Sequence, residues 1–220
     1  MENLEGIIEL VKGNEVILQS YLKTNAILQQ YKHPLCSVSG GKDSDIMLDI
    51  VHRLDTENKV TYVWFDTGVE YRATREHISY LEEKYGITIR KVKSIKPIPL
   101  TCRQYGQPFL SKLASGHIEL LQKNGFQWED GTFEELCEKY GDCRSAIAWW
   151  TNNNSSNKYN ISYTKYLKEF LMAHPPTFPI SDRCCQYAKK EVSHRIEEIL
   201  GCDIRITGLR KAEGGTLLSF

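Results

Sequence analysis

Residues 35–44 read LCSVSGGKDS, and these positions decide the fold. Leu35, Cys36 and Val38 make a short apolar run of the kind buried in a sheet, and it stops at Ser39-Gly40-Gly41. Ile46, Met47, Ile50, Val51 and Leu54 then recur at helical spacing, so an amphipathic helix follows. Glycine permits backbone angles that a side chain forbids, which lets neighbouring amide N–H groups turn inward together. Asp43 and Ser44 fall at or near the helix start, where amides without intrahelical acceptors and the helix dipole favour an anion. Ser39, Gly40, Gly41, Lys42, Asp43 and Ser44 therefore read as a phosphate cradle. The plainer alternative is a Gly-Gly turn joining an ordinary strand to an ordinary helix.

The Walker A pattern needs a glycine five positions before its Gly-Lys pair and a Ser or Thr after it. Cys36 and Asp43 occupy those places here. SGGKDS at 39–44 instead resembles, at every position, the pyrophosphate-binding loop of the N-type ATP pyrophosphatase superfamily.

A chain of 220 residues suggests one large domain, or a domain carrying a substantial insertion, and needs no disulfide staples. Its 28 basic and 28 acidic residues leave no net field, which argues against a protein that coats nucleic acid or lies on a membrane surface. The first residues carry Glu2, Glu5 and Glu9 and lack a basic-then-apolar signal pattern, and no apolar run approaches the ~20 residues that span a bilayer. A cytoplasmic protein is the expectation. Seven cysteines, an odd number without the spacing of a small secreted framework, are expected as free thiols, ligands or catalytic groups.

Residues 3–31 read as one or two amphipathic helices, an N-terminal arm (1–33) that His33-Pro34 ends. Val60–Phe65 is a second buried strand, closed by Asp66-Thr67-Gly68. A helix over about 73–84 with Gly86 near its C-cap follows, then a third strand at 87–92. Strands alternating with helices at this spacing predict a parallel sheet whose ligands sit beyond the C-terminal strand ends. From about 94 to 181 the alternation stops. That segment has helical patches near 109–123 and 132–140, the core-type tryptophans Trp128, Trp149 and Trp150, and the polar run TNNNSSN at 151–157, which is expected to be a mobile loop. It is read as a largely helical insertion covering the site, within a nucleotide-binding domain of 34–215 followed by a short tail, 216–220. A helix from 184 to 200 and a strand over 203–207 complete the domain, and TGLRKAEGG runs from 207 to 215.

Three strand ends thus converge. The first offers amides and hydroxyls to phosphates. Asp66 can hold a ribose hydroxyl or a Mg²⁺ ion. Arg210 presents a planar fork to phosphate or sulfate, Lys211 adds a second charge, and Glu213 can orient that arginine or take a hydroxyl. SGGKDS, FDTG (65–68) and TGLRKAEGG resemble, in order, the motifs of the PAPS reductase/ATP sulfurylase branch of the adenine nucleotide α-hydrolase fold. The resemblance covers about 35–92 and 182–215. It implies a Rossmann-like α/β fold with a parallel five-stranded sheet flanked by helices, and an ATP or PAPS/adenylyl sulfate nucleotide with its phosphates on 39–44. The nucleotide contacts implied are Ser39 to Ser44, Asp66, Thr67, Gly68, Arg210, Lys211 and Glu213.

Cys184-Cys185 followed by Lys189 resembles half of the cluster motif of iron–sulfur adenylyl-sulfate reductases. The second downstream Cys pair is missing, since only Cys202 follows, and completion by Cys137 and Cys143 would need an unusual spacing. The residues do not make a case for an iron–sulfur cluster in this chain alone, and no metal ligands are assigned. Nor does a cysteine follow the Arg210 loop, where sulfonucleotide reductases carry their nucleophile. The intact phosphate loop leans towards ATP, while the Arg loop and the paired cysteines lean towards a sulfonucleotide.

Both chemistries stay open at this point. With ATP, an acceptor attacks the α-phosphorus and pyrophosphate leaves into the cradle, with Lys42, Arg210 and Mg²⁺ offsetting its charge. With a sulfonucleotide, a thiolate from Cys184, Cys185, a thioredoxin-like donor, another subunit or a missing tail attacks sulfur, with Lys189 and Arg210 on the sulfonate. A non-catalytic nucleotide-binding subunit of a larger complex is the rival reading. An acceptor subunit and a homo-oligomer are the further partners considered, and no direct nucleic-acid or membrane signal is seen. His77 and His194 read as helix-surface or packing residues.

Overall fold

The computed structural model describes residues 13–208 together with Gly6, Ile8, Glu9 and Val11. These residues form two compact units, 1–95 with 189–220 and 96–188.

The first unit begins with α1 (Glu15–Gln30), started by Asn14, whose side chain accepts the Ile17 N–H at 3.2 Å. Tyr21 and Leu28 on one side of α1 are buried in the unit's core. Pro34 fixes an extended entry to β1 (Pro34–Ser37), and its missing N–H is tolerated at a strand's first residue. Next come α2 (Lys42–Leu54), β2 (Thr61–Asp66), α3 (Arg72–Tyr85) and β3 (Ile89–Lys93). Gly86 ends α3 in the left-handed conformation, φ +61°, which lets its N–H reach back to the carbonyls of Glu82 and Glu83.

The sheet order is β3-β2-β1-β4, all parallel, with β4 at Ile204–Thr207. Leu35, Cys36, Val63 and Trp64 of the two central strands are buried, as the apolar runs require of strands covered on both faces. Leu48 and Val51 of α2, Ile78 and Leu81 of α3, and Ile89 of β3 are buried with them. Among the described residues the sheet has four strands, not the five that the resemblance implied. The reason is local to the chain between β3 and β4: the named elements of the second unit are all helical, so it contributes no strand to the sheet.

The second unit carries α4 (Ile98–Tyr105), α5 (Lys112–Lys123), α6 (Phe133–Lys139), α7 (Arg144–Trp150), α8 (Leu167–Ala173) and the short α9 (Arg183–Cys185). Its own core gathers Ile118, Leu121, Phe126, Ile147, Trp149, Trp150, Ile161 and Leu171. The tryptophans are packing groups here. Trp149 and Trp150 are buried, the Trp150 Nε1–H donates to the Glu129 carbonyl at 2.9 Å, and Trp128 packs edge-on against Phe126 and Trp150.

One expectation is corrected and another refined. The run at 151–157 is not a loose loop, because its amides bond back onto the chain. Asn160 Oδ1 accepts the Asn154 N–H at 3.0 Å, Asn160 Nδ2 donates to the Asn154 carbonyl at 3.2 Å, and Asn154 Nδ2 donates to the Tyr159 carbonyl at 2.7 Å. The helix expected from 184 to 200 is present without a break, its middle wound wider: α9 passes into a π-helical stretch, Gln186–Lys190, and on into α10 (Glu191–Leu200).

Candidate functional site

In the order β3-β2-β1-β4, strand β1 has its successor on one side and the last strand on the other. Between β1 and β4 the connections diverge, and in open parallel sheets the crevice beyond the C-terminal ends at such a point is where ligands bind. The turn after β1 and the residue after β4 both belong to that crevice. Gly40 takes φ +75°, and Gly41 is the N-cap of α2 at φ −97°, ψ 154°, with no side-chain cap hydrogen bond among the described residues. The amides of the first turn have no acceptor within a helix, so an uncapped N-terminus at a glycine turn presents donors to an anion.

The turn is pinned from three directions. Ser44 Oγ accepts the Ser39 N–H at 2.9 Å, and Ser44 is 5% exposed. This bond uses a lone pair of the hydroxyl and leaves its hydrogen for donation. A side chain on Gly40 would meet Thr74 Cγ2 at 3.3 Å and Ile78 Cδ1 at 3.5 Å, so α3 backs the turn closely. Gly208, the residue after β4, lies against the first turn itself: a Cβ there would stand 2.9 Å from both Ser44 N and Ser44 Cα. Beyond the turn, His77 Nε2 of α3 lies 2.6 Å from Asp45 Oδ2 of α2.

At the end of β2, Asp66 is committed to its own loop. Its Oδ1 accepts the Gly68 N–H at 2.9 Å, and its Oδ2 lies 3.7 Å from Arg75 Nη2. Gly68 has φ +86°. Thr67 is buried and its Oγ1–H donates to Glu70 Oε1 at 2.7 Å, while the Asp66 carbonyl accepts the Ser94 N–H at 2.9 Å. FDTG is thus a rigid strand end. Asp66 keeps acceptor capacity for a ribose hydroxyl, but its carboxylate is already oriented by one amide and one guanidinium.

Residues 33–108 match the family described as the phosphoadenosine phosphosulfate reductase domain. The matched segment holds the SGGKDS turn and FDTG, so this part of the chain is similar to that family. It is also similar to an uncharacterized protein of Methanocaldococcus jannaschii, at 25% identity over 182 residues, which is 79% of this chain. The chain spans only 36% of that relative's length. No solved structure matches.

The other residues that the PAPS reductase resemblance pointed to fall in different parts of the chain. Arg210, Lys211 and Glu213 lie outside the described residues. Cys184 and Cys185 belong to the second unit and Lys189 to the first. Cys184 is 6% exposed, and its thiol is pushed up, first by burial and then by the neighbouring thiols Cys185 and Cys102. A protonated, buried thiol is a poor nucleophile. Among the described residues no three His, Cys, Asp or Glu side chains group as metal ligands. Since Mg²⁺ is generally held by substrate phosphates and one or two carboxylates, it would come with the nucleotide rather than sit in a protein cage.

Four participants went unseen in the sequence: Asp45, Glu70, Arg75 and the His77 contact. Glu70 had a faint signal, a carboxylate three residues after Thr67. Arg75 and His77 had none, because the helix periodicity that places them beside the turn also describes any surface position. No helix among the described residues is long and apolar enough to cross a membrane.

Proposed function

We propose that this protein is an enzyme of the PAPS reductase type that binds an adenine nucleotide through its phosphates on Ser39–Ser44. The observation that carries the reading is the uncapped N-terminus of α2 behind the Gly40-Gly41 turn, at the point in the sheet where β1 and β4 part. Backbone amides and the Lys42 ammonium offer positive potential there, and the buried Ser44 hydroxyl ties the helix start to the turn by accepting the Ser39 N–H. Asp66, beside the cradle at the end of β2, takes the ribose hydroxyls.

The ATP version is favoured by the state of Cys184. Attack on sulfur in PAPS or adenylyl sulfate calls for a thiolate, and a buried thiol pushed upward in pKa supplies little of it. Attack of an acceptor on the α-phosphorus needs no thiol: the bond from the α-phosphorus to the bridging oxygen breaks, and pyrophosphate leaves with its new charge against the loop amides and Lys42. Sulfonucleotide reduction remains the second reading, with the thiolate supplied by an external dithiol, which leaves as the disulfide while sulfite and the nucleotide are released.

Titration of the full chain with ATP, PAPS and AMP tests this directly. ATP or PAPS is expected to bind at least tenfold more tightly than AMP, with Lys42→Ala weakening the first two and Gly41→Val abolishing binding. Equal affinity for all three nucleotides would overturn the phosphate-cradle reading. Pyrophosphate release from ATP, against dithiol-dependent sulfite release from PAPS, separates the two chemistries.

A further inference from the structure

We propose that the second unit carries a separate binding face for single-stranded nucleic acid, built from Tyr159, Tyr163 and Tyr166 with Lys158 and Lys165. It goes beyond the nucleotide reading and does not depend on it. The three rings are 50%, 66% and 67% exposed, and their hydroxyls have no partner among the described residues. Packing does not account for them: the anchoring of this stretch is done by Ile161, Leu167 and Leu171, which are buried.

The scaffold beneath the rings is preorganised. Besides the reciprocal Asn154–Asn160 bonds, Asn152 Oδ1 accepts the Ser162 N–H at 3.1 Å, and Asn157 Oδ1 accepts the Ser162 hydroxyl, also at 3.1 Å. The asparagines are consumed in holding two 3₁₀ turns, Asn157–Tyr159 and Ile161–Tyr163. Tyr166 is held at φ +63°, a backbone conformation unfavourable for a bulky side chain, and Lys165 Nζ lies 4.8 Å over its ring. Strain kept at an exposed aromatic points to a use for that ring's orientation.

Charge decides the class of partner. Between Asp142 and Glu169 the sequence has Arg144, Lys158, Lys165 and Lys168 and no acidic residue. Lys168 is taken by Asp130 at 2.5 Å, whereas Lys158 and Lys165 have no acidic partner among the described residues. Exposed rings on a hydrogen-bonded backbone, interleaved with ammonium groups that have no acidic partner among the described residues, suit a strand whose phosphates meet the lysines and whose unpaired bases stack on the tyrosines. A duplex hides its base faces, so it cannot use the rings.

The test is fluorescence anisotropy of the full chain with a fluorescein-labelled 20-nucleotide oligo-dT, at ~50 and ~200 mM salt. Binding in the micromolar range at low salt is expected, and a duplex of the same length should bind more weakly. Tyr163→Ala/Tyr166→Ala should weaken oligo-dT binding tenfold or more. Lys158→Ala/Lys165→Ala should flatten the slope of log affinity against log salt by about 1.4. The substituted positions are exposed, so both variants should melt as the parent does. No binding at ~100 µM protein overturns the proposal. So does binding that survives the tyrosine substitutions but is lost in Lys42→Ala, which would place the oligonucleotide on the phosphate loop. Equal competition by polyglutamate would reassign the face to an acidic polypeptide.

Discussion

His77 Nε2 and Asp45 Oδ2 stand 2.6 Å apart, joining α3 to the first turn of α2 immediately beyond the phosphate loop. Asp45 Oδ1 is buried with no partner among the described residues, so this contact is what holds the carboxylate. His77→Ala leaves both oxygens unpaired beside an anion site. With the two side chains 34% and 27% exposed, the stability loss should be modest, about 1 kcal/mol in urea unfolding. The larger effect is expected on binding, a fall of about tenfold in ATP affinity, since an unrestrained carboxylate then faces the phosphates. Asp45→Asn should restore most of the affinity in the His77→Ala background, an outcome that mere loss of packing would not produce.

Gly208 and Gly116 make opposite predictions for the same substitution. A Cβ on Gly208 would meet the Ser44 backbone at 2.9 Å, and backbone cannot swing aside as a side-chain tip can. Gly208→Ala should therefore displace the first turn of α2, destabilise the protein by about 1–3 kcal/mol and weaken nucleotide binding further. Gly116 lies inside α5, and a methyl added there would meet nothing within 4 Å. Gly116→Ala should raise stability by roughly 0.5–1 kcal/mol and leave binding unchanged. Thermal melts and ATP titrations of the two variants check both statements.

The contrast between these glycines shows what could be read from the sequence. Gly40 and Gly41 were legible because they sit between an apolar run and a helical period, and the four strands were legible for the same reason. Gly208 was visible only as the end of a strand: its closeness to Ser44 joins positions far apart in the chain, and no local pattern encodes it. Composition misleads at 151–157 because it counts asparagines as solvated, whereas these bond to Tyr159, Asn160 and Ser162. The fifth strand came from resemblance alone, and the apolar run Ala146–Trp150 within 96–188 lies in a helix.

Tyr62 points its hydroxyl into the core of the first unit, where it is buried without a hydrogen-bond partner among the described residues. An unpaired buried hydroxyl is destabilising, and removing it leaves the ring's packing intact. Tyr62→Phe should be neutral or stabilising by about 1 kcal/mol in chemical unfolding. A loss of more than that would mean the hydroxyl has a partner such as an ordered water.

Cys36, fully buried on β1, has its thiol pushed far above the ordinary range by burial. The sign of its effect follows from proton counting. Below about pH 8.5 the thiol is protonated in both states and pH has no leverage; above it the unfolded chain releases a proton that the folded chain keeps. Stability is therefore lost as pH rises, by up to about 1.4 kcal/mol per pH unit from this group. Cys36→Ala should start lower because of the space it leaves, yet decline less steeply between about pH 8.5 and 10.5. Parallel curves for the two proteins would show that Cys36 ionises as readily folded as unfolded.

Cys184 and Cys185 adjoin in sequence but differ in what they can do. Cys184 is buried, with its thiol pushed up by that burial and by Cys185 and Cys102, whereas Cys185 is half-buried. The thiolate is the reactive form, so iodoacetamide at neutral pH should label Cys185 well before Cys184, with the order collapsing in denaturant. Mass spectrometry of the labelled peptide reads this out. If the protein releases sulfite from PAPS, the rate should survive Cys184→Ser while remaining dependent on an added dithiol. Abolition of sulfite release by Cys184→Ser, with PAPS affinity intact, would instead place the attacking sulfur on Cys184 and require that this helix open to expose it.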